Sequence, residues 1–111
     1  MDTDGTGVMA QDIEPLVGLF RLLSDKTRLN ILMILGKGER NVSSLCEELA
    51  LPQPTVSHHL GLLRTKNLIS NRRNGKQVFY GLNGQVDALS DGWLKISAEP
   101  FKVQISEAPV Q

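Results

Sequence analysis

Between residues 51 and 82 the chain reads LPQPTVSHHLGLLRTKNLISNRRNGKQVFYGL, and few folds accommodate that order of signals. Pro54 suits the first position of a helix, where its missing N–H is not needed. Val56, His59, Leu60 and Leu63 then recur on one helical face, which turns Thr55, Ser57, His58 and Gly61 outward. After Asn67 the period changes to two. Residues 69–73 and 76–82 read as strands about Asn74-Gly75, a strong hairpin signal because both residues tolerate φ > 0. One amphipathic helix must therefore run directly into a two-stranded ribbon, with Arg72, Arg73 and Lys76 at the ribbon's tip.

The flanking segments complete a mainly helical domain. Residues 1–11 are polar and aperiodic and read as a flexible arm. A first helix starts near Asp12, with Ile13, Leu16, Val17, Phe20 and Leu23 at helical spacing. Ser24 reads as the N-cap of a second helix and Asp25 as part of its first turn. That second helix, reaching about Leu35, is apolar on most sides and is therefore the buried one; Gly36 and Gly38 stop it. Asn41 is placed to cap a third helix whose inner stripe is Val42, Leu45, Cys46 and Leu49. The third and fourth helices, joined through a turn at residues 51–53, form a helix-turn-helix pair. A last helix is expected from about Gln85, carrying Val86, Leu89, Trp93 and Ile96 and ended by Pro100. Beyond it, Phe101, Val103 and Ile105 alternate, which fits a short strand or no order at all. The expected fold is mainly α with a small β-hairpin, in the order four helices, two strands, one helix. Its expected divisions are an arm at 1–11, a domain at 12–98 and a tail at 99–111.

Charge is sorted along this frame. The chain has 12 basic and 12 acidic residues, yet residues 54–83 hold five cations (Arg64, Lys66, Arg72, Arg73 and Lys76) and no carboxylate. Decoration for solubility usually mixes signs, so a helix and hairpin of one sign point to a polyanion. No apolar run approaches the roughly 18 residues that a membrane span needs. The N-terminal stretch lacks the pattern of a secretion signal, which predicts a cytoplasmic protein. The single cysteine, Cys46, excludes an intrachain disulfide. No Ser/His/Asp set, phosphate-cradling glycine loop or paired carboxylates suggest an enzyme.

Three segments in this order, LSDKTRLNILMIL, VSSLCEELALPQPTVSHHLGLLR and NLISNRRNGKQVFYGL, closely resemble the arsenic-repressor (ArsR/SmtB) family of bacterial winged-helix regulators. The resemblance implies a symmetric homodimer built on the first and last helices. It also implies that the fourth helix enters the major groove, with the ribbon along the backbone or the adjacent minor groove. Family members usually repress their own operon and release DNA when an effector binds. The sensors of arsenic and cadmium in the family carry a Cys-x-Cys pair where this sequence has Asn41 and Ser43, keeping only Cys46 nearby. The zinc and nickel sensors use a carboxylate and histidines on the final helix, where this chain offers Asp87 and Asp91 but no histidine. Neither set is complete for a metal, and no cofactor is expected.

These signals predict a DNA contact set of Gln53, Thr55, Ser57, His58, Arg72, Arg73 and Lys76. Adjacent helical residues diverge by about 100°, so His58 and His59 do not share an ion; His59 is expected inward and His58 toward DNA. Cys46 is expected to pack in the core. Two terminal amphipathic helices would leave Ile13, Leu16, Val17, Phe20, Leu89, Trp93 and Ile96 poorly covered in a monomer, and an isologous dimer covers them. The expected function is a homodimeric repressor on an inverted-repeat operator in double-stranded DNA. The alternative is a winged-helix module that binds a protein partner without a specific operator. The releasing signal stays open: a metal, an oxidant acting on Cys46, a small molecule, or none.

Overall fold

The computed structural model describes residues 12–89 and 92–106; the arm at 1–11 and the last residues, 107–111, lie outside them. Helices α1 (Glu14–Leu23) and α2 (Lys26–Leu35) lead through a two-residue strand, β1 (Arg40–Asn41), to α3 (Val42–Leu49) and α4 (Gln53–Thr65). The hairpin β2 (Ile69–Asn74) and β3 (Gln77–Leu82) follows, then β4 (Val86–Ala88), β5 (Leu94–Ala98) and β6 (Phe101–Ile105). β1 pairs antiparallel with β3 and gives a first sheet of order β1-β3-β2; the second sheet has the order β4-β5-β6. Among the described residues, no helix is long and apolar enough to cross a membrane.

Caps explain the helix boundaries. Asp25, not Ser24, caps α2: its Oδ1 accepts from the backbone N–H of Thr27 at 2.8 Å and of Arg28 at 3.1 Å. An extended Asp25 (φ −97°, ψ 130°) leaves Ser24 to close α1, so the sequence reading was one residue early. Asn41 caps α3 as expected, accepting from Ser44 N at 2.8 Å. α3 and α4 end alike. Leu51 N–H donates to Cys46 O and Ala50 N–H to Glu47 O; Leu68 N–H donates to Leu63 O and Asn67 N–H to Arg64 O. This closure needs a left-handed residue, supplied by Ala50 (φ 56°) and Asn67 (φ 62°). Asparagine tolerates that region, whereas alanine is held there at a cost of about 1–2 kcal/mol. Ala50→Gly is therefore expected to raise the unfolding free energy by about 0.5–1 kcal/mol after the greater freedom of glycine in the unfolded chain is counted. Urea denaturation measures it, and an unchanged midpoint would show that the turn is unstrained.

The core is one cluster. α2 supplies Ile31, Leu32 and Leu35, α3 supplies Leu45, and α4 supplies Val56, Leu60 and Leu63. Leu68, Ile69, Val86, Leu94 and Ile96 continue it into both sheets. Cys46 is half-buried against this cluster, as expected. Helix α1 has two apolar stripes. Leu19, Leu22 and Leu23 turn to the core, while Ile13 and Phe20 stay 57% and 53% exposed.

The expected last helix is absent. Residues 86–105 instead form three antiparallel strands in register Val86↔Ile96 and Ile96↔Val103. Gly92 has φ +82°, outside the helical region, and Pro100 sits in the tight turn between β5 and β6, where it lacks no ladder partner. Leu94 and Ile96 point into the core and Lys102 and Gln104 outward, a period of two that rewards a strand over a helix. Phe101, Val103 and Ile105, left open between strand and disorder, are strand. Ile96 is fully buried within the chain and so leaves the expected dimer face, whereas Leu89 and Trp93 keep 37% and 40% exposure beside the β4–β5 turn.

Candidate nucleic-acid interface

The helix-turn-helix pair presents the N-terminal end of α4 to solvent. Gln53, Ser57 and His58 are exposed and Thr55 is half-buried, while Val56, Leu60 and Leu63 fix the opposite face in the core. His59 turns inward as expected. Its Nδ1 accepts from Arg28 Nη1 at 3.2 Å, and Arg28 Nε donates to Leu22 O at 2.6 Å. This contact ties the middle of α4 to the start of α2. Asp25 Oδ1 lies 3.9 Å from the same His59 nitrogen. The backbone N–H of Arg28, chiefly, with His59 and Thr27 adding to it, holds the Asp25 carboxyl below its ordinary range. The rings of His58 and His59 stand edge to face at 5.3 Å, and among the described residues no group of three or more His, Cys, Asp or Glu is arranged to hold a metal ion.

The ribbon turns one residue later than its sequence suggests. Asn74 pairs with Gln77, so Gly75 and Lys76 are the central residues, and only Gly75 has positive φ (+65°). A glycine alone at the first central position fits the II′ class, whose twist matches the strands it joins. Lys76 is thereby lifted to the tip, with Arg73 exposed one pair below it on β2. A groove of about 230 Å³ runs between wing and helices, lined by Asn41, Ser43, Gln53, Lys76 and Gln77 among others. Recognition helix and wing thus share one concave face. Asn41 Nδ2 reaches Gln77 Oε1 at 3.5 Å across it.

Arg72 differs from its neighbours. Its Nε and Nη2 donate to the Glu39 carboxylate at 2.9–3.3 Å, and its guanidinium carbon lies 4.9 Å from the Phe79 ring centre. The Arg72 hydrogen bond, then its charge, holds the Glu39 carboxyl below its ordinary range; Glu39 in turn raises Arg72. No count of charge along residues 54–83 finds this acid, because β1–β3 pairing brings it across the sheet.

Residues 25–71, from the cap of α2 into β2, match the family described as bacterial regulatory protein, arsR family. The transcriptional repressor SdpR of Bacillus subtilis is 34% identical over 76 residues, covering 68% of this chain and 84% of that repressor. The chain belongs to the arsR family. A second member, the arsenical resistance operon repressor of Escherichia coli, is 42% identical over 73 residues, covering 65% of this chain. This arsR-family chain spans 54% and 62% of the length of two curated relatives it matches, the second being that repressor. Among solved structures, the homodimeric winged helix-turn-helix DNA-binding domain of Mb0332 from Mycobacterium bovis superposes with a TM-score of 0.60. It is 25% identical and covers 75% of this chain and 74% of that one. The matched family stretch ends inside β2, ahead of the second sheet.

Proposed function

We propose that this arsR-family chain is a cytoplasmic homodimeric repressor that binds an inverted-repeat operator in double-stranded DNA. The observation that carries the reading is the shared face of α4 and wing: Gln53 and Lys76 line one groove, with Ser57, His58 and Arg73 exposed on the same two elements. The residues at the start of α4 read base edges in the major groove, and the wing cations meet phosphates. A second copy covers the outer stripe of α1, namely Ile13, Leu16, Val17 and Phe20, together with Leu89 and Trp93. That pairing sets the two recognition helices about one DNA turn, roughly 34 Å, or a multiple of it apart. The Cys-x-Cys and histidine ligands of the family's metal sensors are missing from this sequence, so any releasing signal would have to act through other residues.

Fluorescence anisotropy on duplexes from the gene's own promoter tests this across a salt series. Binding must weaken linearly in log K against log salt. Binding that is absent at every salt concentration leaves the protein-interaction module as the surviving reading. Gln53→Ala and His58→Ala are each expected to lower affinity for the preferred operator by about 1–3 kcal/mol while leaving binding to random duplex nearly unchanged. Equal losses on both duplexes would place these side chains on phosphate rather than on bases.

A further inference from the structure

Among the described residues, Glu39, just ahead of β1, is the carboxylate that bonds to a cation of the wing, and binding a polyanion does not by itself explain it. Its backbone is pinned from both sides: Arg40 Nη1 donates to Gly38 O at 2.9 Å and to Glu39 O at 3.1 Å, while Arg40 Nε donates to Glu48 Oε2 on α3 at 2.7 Å. Its side chain crosses β3 above Gly81. A methyl group on Gly81 would stand 3.2 Å from Glu39 Cγ and 3.5 Å from Oε2, so the glycine makes the slot in which the carboxylate lies. From there Glu39 accepts from Arg72 Nε and Nη2. Phe79, the direct cross-strand partner of Arg72, backs the guanidinium.

A guanidinium carries five N–H donors in a planar fork. Glu39 occupies the edge formed by Nε and Nη2, and Phe79 lies against one face. One hydrogen of Nη1 and one of Nη2 are left on the outer edge, the second Nη1 hydrogen is also free, and the side chain is 54% exposed. We infer that Glu39 is a positioning residue for DNA binding, holding Arg72 so that its outer Nη1/Nη2 edge receives a backbone phosphate of the operator. A phosphate there gains charge-assisted hydrogen bonds without breaking any that exist. A phosphate that took the inner edge would have to expel Glu39 from the Gly81 slot and then face its charge. Fixing the arginine beforehand removes the ordering cost that a free side chain meets on association.

The inference rests on the DNA-binding reading, and one set of measurements separates the two. Wild type, Glu39→Ala, Gly81→Ala, Arg72→Ala and the double variants Glu39→Ala/Arg72→Ala and Gly81→Ala/Arg72→Ala are titrated with one promoter duplex by anisotropy at several salt concentrations. Glu39→Ala is expected to weaken binding roughly 2- to 10-fold, the scale of ordering one long side chain, although it removes a negative charge from the DNA-facing surface. Gly81→Ala, whose methyl would press on Glu39 Cγ at 3.2 Å and shift the side chain, is expected to act in the same direction. Neither change should lower affinity further when Arg72 is already alanine. Tighter binding with a steeper salt slope in Glu39→Ala would overturn the inference and make Glu39 a competitor of the phosphate. Equal losses with and without Arg72 would overturn it in favour of a purely structural role. Failure of the DNA-binding reading shows elsewhere, as wild type that binds no duplex at any salt, and takes the inference with it.

Discussion

Replacing Arg73 and Lys76 together by alanine is expected to weaken binding to every DNA sequence alike and to flatten its dependence on salt. Each phosphate neutralised by a cation releases condensed counterions, contributing about −0.9 to the slope of log K against log salt. Losing both contacts should therefore reduce the slope by about 1.8. Between 50 and 200 mM salt, a change of that size alters how steeply affinity falls by roughly tenfold. These two residues are the appropriate pair because both are exposed at the ribbon tip and, among the described residues, neither bonds to an acid. Arg72, which is paired with Glu39, is left intact in this variant so that the lost slope reports the tip cations alone. A slope that stays put in Arg73→Ala/Lys76→Ala would mean that the ribbon tip does not touch the backbone.

Leu60→Ala is expected to destabilise the protein by about 2–5 kcal/mol, a large share of the roughly 5–15 kcal/mol that holds a domain of this class together. Leu60 is 1% exposed and lies on the inner face of α4, in one cluster with Ile31, Leu32, Leu45 and Ile69. Removing its branched end leaves a cavity inside that cluster, to which α2, α3 and the first sheet contribute side chains. In urea the midpoint should fall with little change in slope, since the surface exposed on unfolding is nearly the same. The measurement belongs at fixed subunit concentration because association adds to apparent stability. A loss below about 1 kcal/mol would be incompatible with this packing.

The legible parts of the chain were those where one local rule dominates. Helices α2 to α4 were readable because caps such as Asn41 and a 3.6-residue stripe agree with the tertiary packing. The ribbon was readable from its glycine turn, although a one-residue shift makes Gly75-Lys76 rather than Asn74-Gly75 the central pair. The second sheet was not. Val86, Leu89, Trp93 and Ile96 fit a helical stripe, and β4, at three residues, is too short to display a period of two. The usable signals were Pro100 and the alternation of Phe101, Val103 and Ile105, which belong to one hairpin with β5. Most of the candidate interface was legible as single residues, while its geometry was not. Glu39, Ser43 and Gln77 enter it through β1–β3 pairing and the α3 N-terminus, long-range placements that a scan along the chain does not see.

In the proposed homodimer, a helix that faces a core on one side and keeps its N-cap Ile13 and Phe20 in water on the other would also govern dosage. If only the paired form spans both half-sites, the bound species contains two chains, and below the dimer dissociation constant its abundance rises with the square of the subunit concentration. Doubling expression in that range then quadruples the form able to occupy DNA. An autoregulated gene encoding such a chain would switch itself off over a narrower span of protein level than a monomeric repressor could, with sharpness set by the outer stripe of α1 rather than by any residue that touches a base.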